Sequence, residues 1–271
     1  MIQLSHCKIN LGLHVKDRRD DGYHELESIF LPIPWNDIIE IVPSEKFSLI
    51  SKGLFIPGEI EKNLCFKAYQ LLKKKFQLPP VHIYLHKNIP MGAGLGGGSS
   101  NASTTLKILN LLFKLKLKKE ELKNYALELG SDCPFFLENK AQLVQGRGEK
   151  MKTISINFKD LYIHLIYPGI HVSTKEAFDG LSPNNNRKFL PSFENLNQRN
   201  KWKDFFLNDF EKTIFPLYPE LAIIKEKCYE NSAFFASMSG SGSCLFAFYE
   251  KEPKKLFFDK TNYIEKIISL S

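Results

Sequence analysis

The amino-acid sequence predicts an α+β protein with two lobes, and three features support this class. Segments with the period-two alternation of strands and segments with the spacing of amphipathic helices are interspersed along the chain. Its 271 residues suffice for one large domain or two lobes. Two glycine-rich loops, at 90–98 and 239–243, each lie between regular elements, and we expect them to meet at a cleft.

The first half of the chain holds the clearest elements. Residues 2–11 read as a strand in which Lys8 and Asn10 share one face, because strand side chains alternate. Asn63 is placed to cap a helix that runs to about residue 76. The other elements predicted here are strands at 37–42, 47–51 and 81–86, a helix directly after the first glycine loop, and a lysine-flanked helix at 118–129 that ends at Gly130.

The second half is less regular. Strands are predicted near 142–145, at 161–167, and on both sides of the second glycine loop at 234–237 and 244–249, with a helix at 219–231. We expect residues 171–181 to begin as a strand and become a helix. The polar segment 182–201 has no clear pattern and reads as a long loop or a weak helix.

Charge and cysteine content limit the possible partners and compartments. The net charge is +7, but arginine is scarce, the lysines are scattered, and no basic stripe is interleaved with stacking aromatics. We therefore expect no nucleic-acid partner, whereas an anionic small substrate would benefit from the positive field. The five cysteines are far apart and form no C-x-x-C pair, as in reduced cytosolic thiols. Residues 1–15 lack an apolar signal core and no apolar run reaches membrane-spanning length, so we expect a cytoplasmic protein without membrane contact.

The run 90–102 is the most informative stretch of the chain. Five glycines fall within residues 92–98, two serines and an asparagine follow, and an amphipathic helix starts at once. Glycine lets the backbone approach a ligand, and the first turn of a helix adds unpaired N–H donors and the positive end of a dipole. Together these features predict a phosphate-binding loop. A flexible linker is the weaker alternative, because a patterned helix follows the loop directly.

Residues 92–97 also satisfy the pattern G-x-G-x-x-G, so other phosphate-binding folds have to be considered. The dinucleotide-binding fold requires an acidic residue at the end of a second strand about 20 residues later. This chain has a helix and a lysine-rich segment there. A Walker loop requires Gly-Lys-Ser/Thr after its glycines, and a protein kinase requires a His-Arg-Asp motif, neither of which occurs. The sequence therefore favours a different phosphate-binding fold.

Five motifs of this chain resemble those of the GHMP kinases, the family of galactokinase, homoserine kinase and mevalonate kinase. They are C-K-I-N-L at 7–11, D-G-Y-H at 21–24, P-M-G-A-G-L-G-G-G-S-S at 90–100, G-S-D-C-P-F-F at 130–136 and S-M-S-G-S-G at 237–242. Ser239 stands where the family motif has threonine, while segment 182–201 and the C-terminus match poorly. The resemblance implies the two-lobed GHMP kinase fold. Its N-terminal lobe, like ribosomal protein S5 domain 2, would span 1–150, and a C-terminal lobe like an α/β plait would span 151–271.

By this resemblance, the first glycine loop binds ATP. The family member most like this chain transfers a phosphate to an alcohol of a small cytidine diphosphate substrate. The implied nucleotide-binding residues are Pro90, Met91, Gly92, Ala93, Gly94, Leu95, Gly96, Gly97, Gly98, Ser99 and Ser100. The hydroxyls of Ser99 and Ser100 are expected to contact phosphate or Mg²⁺. Because the histidines show no metal-ligand spacing, Mg²⁺ brought in with ATP is the only metal that we expect.

The resemblance implies two catalytic residues. Asp132 is the base that activates the acceptor hydroxyl, although an aspartate after a helix is by itself more often a cap or turn residue. We expect Lys8 to pair with Asp132, to keep that carboxylate ionised and to stabilise charge on the transferred group. Taken alone, a lysine in an apolar strand is more often an edge residue or one whose charged end reaches water.

The implied substrate-binding residues are Asn10, Tyr23, His24, Thr174, Phe178, Gly240 and Gly242. Tyr23 would stack on the cytosine ring and His24 would hydrogen-bond its edge, with Phe178 and Thr174 on the opposite side. An exposed aromatic residue in a turn is the alternative for Tyr23. The second glycine loop would support the substrate diphosphate and the first loop, with a tight hairpin as its alternative.

Two other functions remain open at this point. A GHMP kinase acting on an alcohol without a base, such as mevalonate or homoserine, is less favoured because Tyr23 and His24 would have no ring to hold. A non-catalytic nucleotide- or RNA-binding module fits the basic charge but leaves Lys8 and Asp132 unexplained. We expect a monomer or a weak homodimer.

Overall fold

The structure is a computed structural model that describes residues 1–18, 22, 24–181, 198–256, 258 and 262–270, except for the side chains of residues 17 and 18. Within these residues, ten strands and eight helices are interspersed along the chain. The predicted α+β class is confirmed.

The strands and helices have the following bounds. The strands are β1 Ile2–Arg18, β2 His24–Pro43, β3 Ser48–Gly53, β4 Val81–Lys87, β5 Gln142–Gly146, β6 Lys150–Thr153, β7 Leu161–Tyr167, β8 Phe235–Met238, β9 Leu245–Tyr249 and β10 Ile264–Leu270. The helices are α1 Leu64–Phe76, α2 Gly97–Leu112, α3 Lys119–Leu129, α4 Phe135–Glu138, α5 Thr174–Asp179, α6 Trp202–Phe205, α7 Glu211–Leu217 and α8 Pro219–Glu230.

The chain forms two compact units, each assembled from separate stretches of sequence. The first unit comprises Met1–Lys8, Pro32–Met91 and Gly96–Lys140, and the second comprises Ile9–Leu31, Gly92–Leu95 and Ala141–Ser271. These units differ from a division into contiguous halves near residue 150, because β1 and β2 each contribute one end to each unit. The division of the family domains at residue 150 stays a prediction.

The first unit packs helices against a mixed sheet. β4 runs parallel to β3 and antiparallel to β2, and β2 also pairs with β1. Alternating side chains of β4 enter the core, which α1 and α2 complete; the buried members are Val81, Ile83, Leu85, Cys65, Ala68, Tyr69, Leu72, Ala102, Leu106, Ile108 and Leu109. Because β4 is antiparallel to β2, the glycine loop that follows β4 does not belong to the parallel sheet of a dinucleotide-binding fold.

The second unit contains an antiparallel sheet with the strand order β10-β7-β9-β8. In the same unit, β5 pairs with β6 and with the first part of β2. Helices α7 and α8 contribute Ile214, Leu221 and Ile224 to a core that also holds Leu245 and Ala247 of β9. The second glycine loop connects β8 and β9, as predicted.

Several helix and strand positions are confirmed closely. The side-chain oxygen of Asn63 accepts the N–H of Cys65 at 2.9 Å and so caps α1. Helix α3 ends at Leu129 with Gly130 after it. β1 and β2 are longer than predicted. Pro32 and Pro34 lie between the part of β2 that pairs with β5 and the part that pairs with β4.

The segment 171–181 differs from its prediction. It has no strand at its start, because the hydroxyl of Ser173 accepts the N–H of Glu176 at 3.1 Å and caps α5 directly. Residues 182–197, which make up most of the segment predicted as a long loop or weak helix, lie outside the described residues.

Candidate active site

Helix α2 presents an uncapped amino end in the first unit. No side chain of the described residues caps it, its N-cap residue is Gly96, and its first turn holds no acidic residue. The N–H of Ser100 bonds to the carbonyl oxygen of Gly96 at 2.9 Å, which is the first intrahelical hydrogen bond. The N–H groups before Ser100 and the helix dipole therefore form an anion-binding end.

Gly96 brings this end of α2 against Lys8. Its φ is +66°, and a Cβ atom there would lie 2.8 Å from Cζ of Phe136 and 3.2 Å from Cγ of Lys8. Only glycine fits this conformation and this space without strain. The aliphatic stem of Lys8 therefore packs directly beside the phosphate-binding loop.

Lys8 and Asp132 form an ion pair, as the sequence predicted. The distance from Nζ of Lys8 to Oδ2 of Asp132 is 3.7 Å; the Lys8 side chain is 5% exposed and that of Asp132 is 35% exposed. Burial lowers the pKa of Lys8, and the negative charge of Asp132 opposes that shift. The pair thus combines a held cation with a carboxylate that solvent or a substrate hydroxyl can reach.

The turn that carries Asp132 is tied to α2. The hydroxyl of Ser103 donates to the carbonyl oxygen of Cys133 at 2.6 Å, and Ser99 hydrogen-bonds the Cys133 thiol, whose pKa burial raises to about 11. The thiol is therefore protonated near neutral pH and serves as a structural contact. These bonds hold Asp132 close to the first turn of α2.

The two serines of the first glycine loop are in different environments. Ser99 is half-buried, whereas Ser100 is buried and its hydroxyl accepts a hydrogen bond from Ser5 at 2.8 Å. That both hydroxyls contact phosphate or Mg²⁺ stays a prediction, and Ser99 is the more accessible of the two.

Sequence reasoning missed a buried ion pair between Asp37 and Lys87 in the first unit. Both side chains are fully buried, and Asn101 of α2 donates to the same carboxylate at 2.9 Å. A signal was present: Lys87 continues the inward-facing alternation of β4, and Asp37 that of β2. A charged residue in a core register requires a buried partner.

A small, partly open cavity lies beside the first turn of α2. Its lining is mostly apolar and comes from the start of α1, the segment before it and the first glycine loop; it includes Ile56, Pro57, Leu64, Leu85, Met91 and Gly98. Small-molecule sites are typically concave and mostly apolar, with a few polar groups that orient the ligand. The sequence did not predict this pocket.

In the second unit, the second glycine loop packs against Ala93 and Gly94 of the first glycine loop. The hydroxyl of Ser239 donates to the carbonyl oxygen of Gly94 at 2.9 Å, and the N–H of Cys244 donates to that of Ala93 at 3.2 Å. A Cβ atom on Gly94 would clash with the Ser239 carbonyl oxygen, and one on Gly240 would lie 3.3 Å from Cα of Gly94. The glycines thus allow two backbones to touch.

Two asparagines of the second unit also contact this loop. Asn208, which sequence reasoning missed, donates to the carbonyl oxygens of Met238 and Gly240 at 2.7 and 2.8 Å. Asn10 is buried and donates to the hydroxyl of Ser28 at 3.0 Å, and its Oδ1 lies 3.4 Å from the Cβ position of Gly240. Asn10 and Gly240, both predicted to bind substrate, are therefore neighbours.

The structure also brings together the residues predicted to flank the cytosine, as far as it describes them. The rings of His24 and Phe178 are stacked with centroids 4.8 Å apart, and Tyr23 lies outside the described residues. Thr174 begins α5 one turn before Phe178, and its hydroxyl lies 3.4 Å from that of Ser241. Stacking of His24 on Phe178 differs from the predicted arrangement, in which the base lies against Phe178 and His24 contacts its edge.

The described residues contain no group of three or more His, Cys, Asp or Glu side chains arranged to hold a metal ion. All five cysteines are buried, and none forms a disulfide within the described residues. No helix in the described part of the chain has the length and apolar character needed to cross a membrane.

Models of two protein domains match the chain. The model described as GHMP kinases N terminal domain matches residues 63–140, and the model described as GHMP kinases C terminal matches residues 183–260. Together they cover more than half of the chain. The chain belongs to the GHMP kinase family. The resemblance found in its motifs is thereby confirmed.

Named relatives within this family are similar over almost the whole chain. The 4-diphosphocytidyl-2-C-methyl-D-erythritol kinase of Cytophaga hutchinsonii is 47% identical, over 99% of each chain. The enzyme of the same name from Bacteroides fragilis is 45% identical, over 94% of each chain.

Solved structures agree with the family assignment. A crystal structure of 4-(cytidine 5'-diphospho)-2C-methyl-D-erythritol kinase is 32% identical, with a TM-score of 0.79 over 91% of this chain and 89% of that one. A crystal structure of L. major mevalonate kinase in complex with R-mevalonate is 18% identical with a TM-score of 0.65, over 92% of this chain and 87% of that one. The latter similarity supports the GHMP kinase fold alone.

Proposed function

We propose that this chain uses ATP to phosphorylate the 2-hydroxyl of 4-diphosphocytidyl-2-C-methyl-D-erythritol, giving the 2-phosphate and ADP, in the non-mevalonate pathway to isoprenoid precursors. The observation that carries the proposal is the Lys8–Asp132 pair beside the uncapped end of α2. It occurs in a chain 47% identical to a kinase of that name over 99% of each chain.

Residues of the first unit supply the ATP site in this proposal. The uncapped end of α2 supplies backbone N–H donors for the phosphates, and the apolar cavity beside Gly98 supplies a place for the adenine ring. In this arrangement the nucleotide runs from the cavity past Gly98 to the amino end of α2.

Asp132 and Lys8 divide the work of phosphoryl transfer. Asp132 accepts the proton of the acceptor hydroxyl, the resulting oxygen bonds to the γ-phosphorus, and the bond from that phosphorus to the bridging oxygen of ADP breaks. Lys8 offsets the negative charge of the transferred group while its own position is held by burial and by Gly96. Positioning and charge then supply most of the rate enhancement.

Mg²⁺ fits the donors at this end of α2. The hydroxyl of Ser99 is an oxygen ligand of the kind that Mg²⁺ prefers, and phosphate oxygens would supply the other ligands. When bound, the ion neutralises phosphate charge. Ser100 is the less accessible of the two serines, because its hydroxyl is buried.

Recognition of the cytidine is assigned to the second unit. His24, Phe178 and Thr174 supply ring surfaces and a hydroxyl, and the loop containing Gly240 and Gly242 supplies backbone groups for the diphosphate. Binding of the base in this proposal requires the His24 ring to leave its stack on Phe178. Tyr23 then completes the stacking contact, for which about 1–3 kcal/mol per base is typical.

The direct test is substrate-dependent ADP release by the purified full chain, with the cytidine substrate, mevalonate and homoserine compared as acceptors. We expect turnover with the cytidine substrate alone. Turnover with mevalonate or homoserine instead would assign another acceptor. Absence of ADP release together with salt-sensitive RNA binding would support the non-catalytic module.

The assignment of the base-binding residues has a separate test. Tyr23→Ala is expected to raise the KM for the cytidine substrate and leave the KM for ATP unchanged, because only the substrate carries the base that Tyr23 contacts. An equal rise in both constants contradicts the cytosine role.

We assign the reaction to the cytoplasm and to a monomer or weak homodimer that binds neither nucleic acid nor membrane. The five cysteines, which are buried and form no disulfide within the described residues, support a reducing compartment. Size-exclusion chromatography with light scattering at several concentrations measures the oligomeric state.

A further inference from the structure

A fully buried carboxylate lies at the base of the first glycine loop. We propose that Asp37 is a positioning residue for ATP: it holds both ends of the loop, and Lys87 neutralises its charge. The inference rests on the proposed function only in taking this loop as the binding site for the ATP phosphates. It does not depend on which alcohol is the acceptor.

The first end of the loop is held through the backbone. Oδ1 of Asp37 accepts the N–H of Asn88 at 2.7 Å and the N–H of Ile89 at 2.8 Å. These two residues immediately precede Pro90, the first residue of the loop. Their peptide planes are therefore fixed by one carboxylate oxygen.

The second end is held through a side chain of α2. Oδ2 of the same carboxylate accepts a hydrogen bond from Nδ2 of Asn101 at 2.9 Å. Asn101 directly follows Ser100, the last residue of the loop. Nδ2 of Asn101 also lies 3.0 Å from the hydroxyl of Ser5, which in turn donates to the hydroxyl of Ser100. One carboxylate thus connects the residues on both sides of the segment 90–100.

Lys87 makes this arrangement compatible with an anionic ligand. It donates to Oδ2 of Asp37, both side chains being fully buried. A Cβ atom on Gly97 would lie 2.9 Å from Nζ of Lys87, so the ammonium group touches the first residue of α2. An unpaired carboxylate at this place would repel the phosphates, whereas the paired one presents no net charge.

The geometry points to positioning as well as stability. Phosphate binding by backbone N–H groups depends on their directions, and a shift of about 1 Å in such a site can lower a rate about a hundredfold. The glycines of the loop have no side chains to fix those directions themselves. Anchors at both ends supply this constraint.

The test compares two charge-neutral double variants of the full chain. In Asp37→Asn/Lys87→Met, the side chain at position 37 keeps an oxygen for the N–H groups of Asn88 and Ile89. In Asp37→Ala/Lys87→Met, that oxygen is lost. Both remove the ion pair and the oxygen that accepts from Asn101, so they differ in the anchor at Asn88 and Ile89 and not in charge.

We expect the Asn/Met variant to bind a non-hydrolysable ATP analogue about tenfold or more tightly than the Ala/Met variant, because only the Asn/Met variant keeps the anchor at Asn88 and Ile89. The KM for the cytidine substrate should be similar in both. Isothermal titration calorimetry measures the affinity for the analogue. All assays run at a temperature below the unfolding midpoints of both variants. If the Ala/Met variant does not fold, Asp37→Ser/Lys87→Met replaces it, because the shorter serine hydroxyl cannot reach both N–H groups.

Equal affinity of the two double variants for the analogue would overturn the inference. So would a parallel rise in the constants for ATP and for the acceptor, because that result indicates general loosening. Failure of the wild type to act on the cytidine substrate would refute the acceptor assignment instead, and the analogue-binding comparison would still decide the role of Asp37.

Discussion

The first unit contains two lysine–aspartate pairs of opposite character. Asp37 and Lys87 are both 0% exposed, and within the described residues the carboxylate accepts four hydrogen bonds. Lys8 and Asp132 lie 3.7 Å apart, and the Asp132 side chain is 35% exposed. The residue types are the same, but the first carboxylate is saturated with donors and the second is open to solvent.

This difference separates an architectural role from a chemical one. A carboxylate whose lone pairs are all engaged cannot accept a proton from a substrate without breaking its own contacts. An exposed carboxylate next to a held cation can accept that proton, and the cation remains available to the transferred phosphate. Under the proposed function, access to the carboxylate, rather than the presence of a Lys–Asp pair, distinguishes Asp132 from Asp37.

The largest expected effect is on stability, at the buried pair. Lys87→Met leaves the Asp37 carboxylate buried without its cation and should lower the free energy of unfolding by about 3–5 kcal/mol. Lys8→Met should lower it by less than about 1 kcal/mol, because water can reach Asp132. Urea denaturation of both variants measures the difference. Equal losses would remove the contrast between the pairs.

The second effect is on turnover, at the exposed pair. Lys8→Ala and Asp132→Ala should each lower kcat about a hundredfold or more, with circular dichroism spectra like that of the wild type. Lys225→Met is the control, since Lys225 pairs with Glu211 at 2.6 Å in the second unit and is assigned no role in catalysis. Near wild-type turnover in either alanine variant would refute the catalytic assignment.

A smaller effect is expected at the glycines that touch these pairs. Gly96→Ala places a side chain at positive φ and against Phe136, and should lower the free energy of unfolding by about 1–2 kcal/mol. Gly98→Ala is the matched control, because its Cβ atom would lie 3.5 Å from Leu64, an ordinary contact. Thermal denaturation compares them. An equally destabilised Gly98→Ala variant would show that the loop does not tolerate any added Cβ atom.

The smallest effect concerns pH. Burial lowers the pKa of Lys8, so Lys8 loses its charge at a lower pH than an ordinary lysine does. Because the charge is needed for transfer, kcat should fall on the alkaline side as Lys8 loses its proton. In Lys8→Arg this alkaline fall should be absent over the same range, since guanidinium stays protonated. An unchanged alkaline fall in kcat would assign it to another group.

Much of the first unit was predictable from local patterns. Asn63 and the alternation of residues 81–86 identified α1 and β4, because caps and period-two burial are local properties. The phosphate-binding end of α2 followed from its glycines. The pairing of Lys8 with Asp132 was expected from family resemblance, since 124 positions separate the two residues and no local pattern connects them.

Other features were not predictable in the same way. Lys87 and Asp37 each occupy an inward register, which signals a buried charge, but nothing in the sequence states that one pairs with the other. Ser100 was expected at the ligand because it follows the glycines, and its orientation was set by the turn of α2 and by Ser5. The missing strand before α5 reflects a cap at Ser173 that outweighs the local apolar pattern.

The sequence by itself determined most element types and membership of the family, and it predicted a phosphate-binding loop, because each depends on residues that are close in the chain or on motifs in a given order. Tertiary structure alone decided which lysine–aspartate pair is saturated and which is open. The physical reason is solvation: whether a carboxylate is reached by water, by donors or by a substrate depends on which distant elements pack around it.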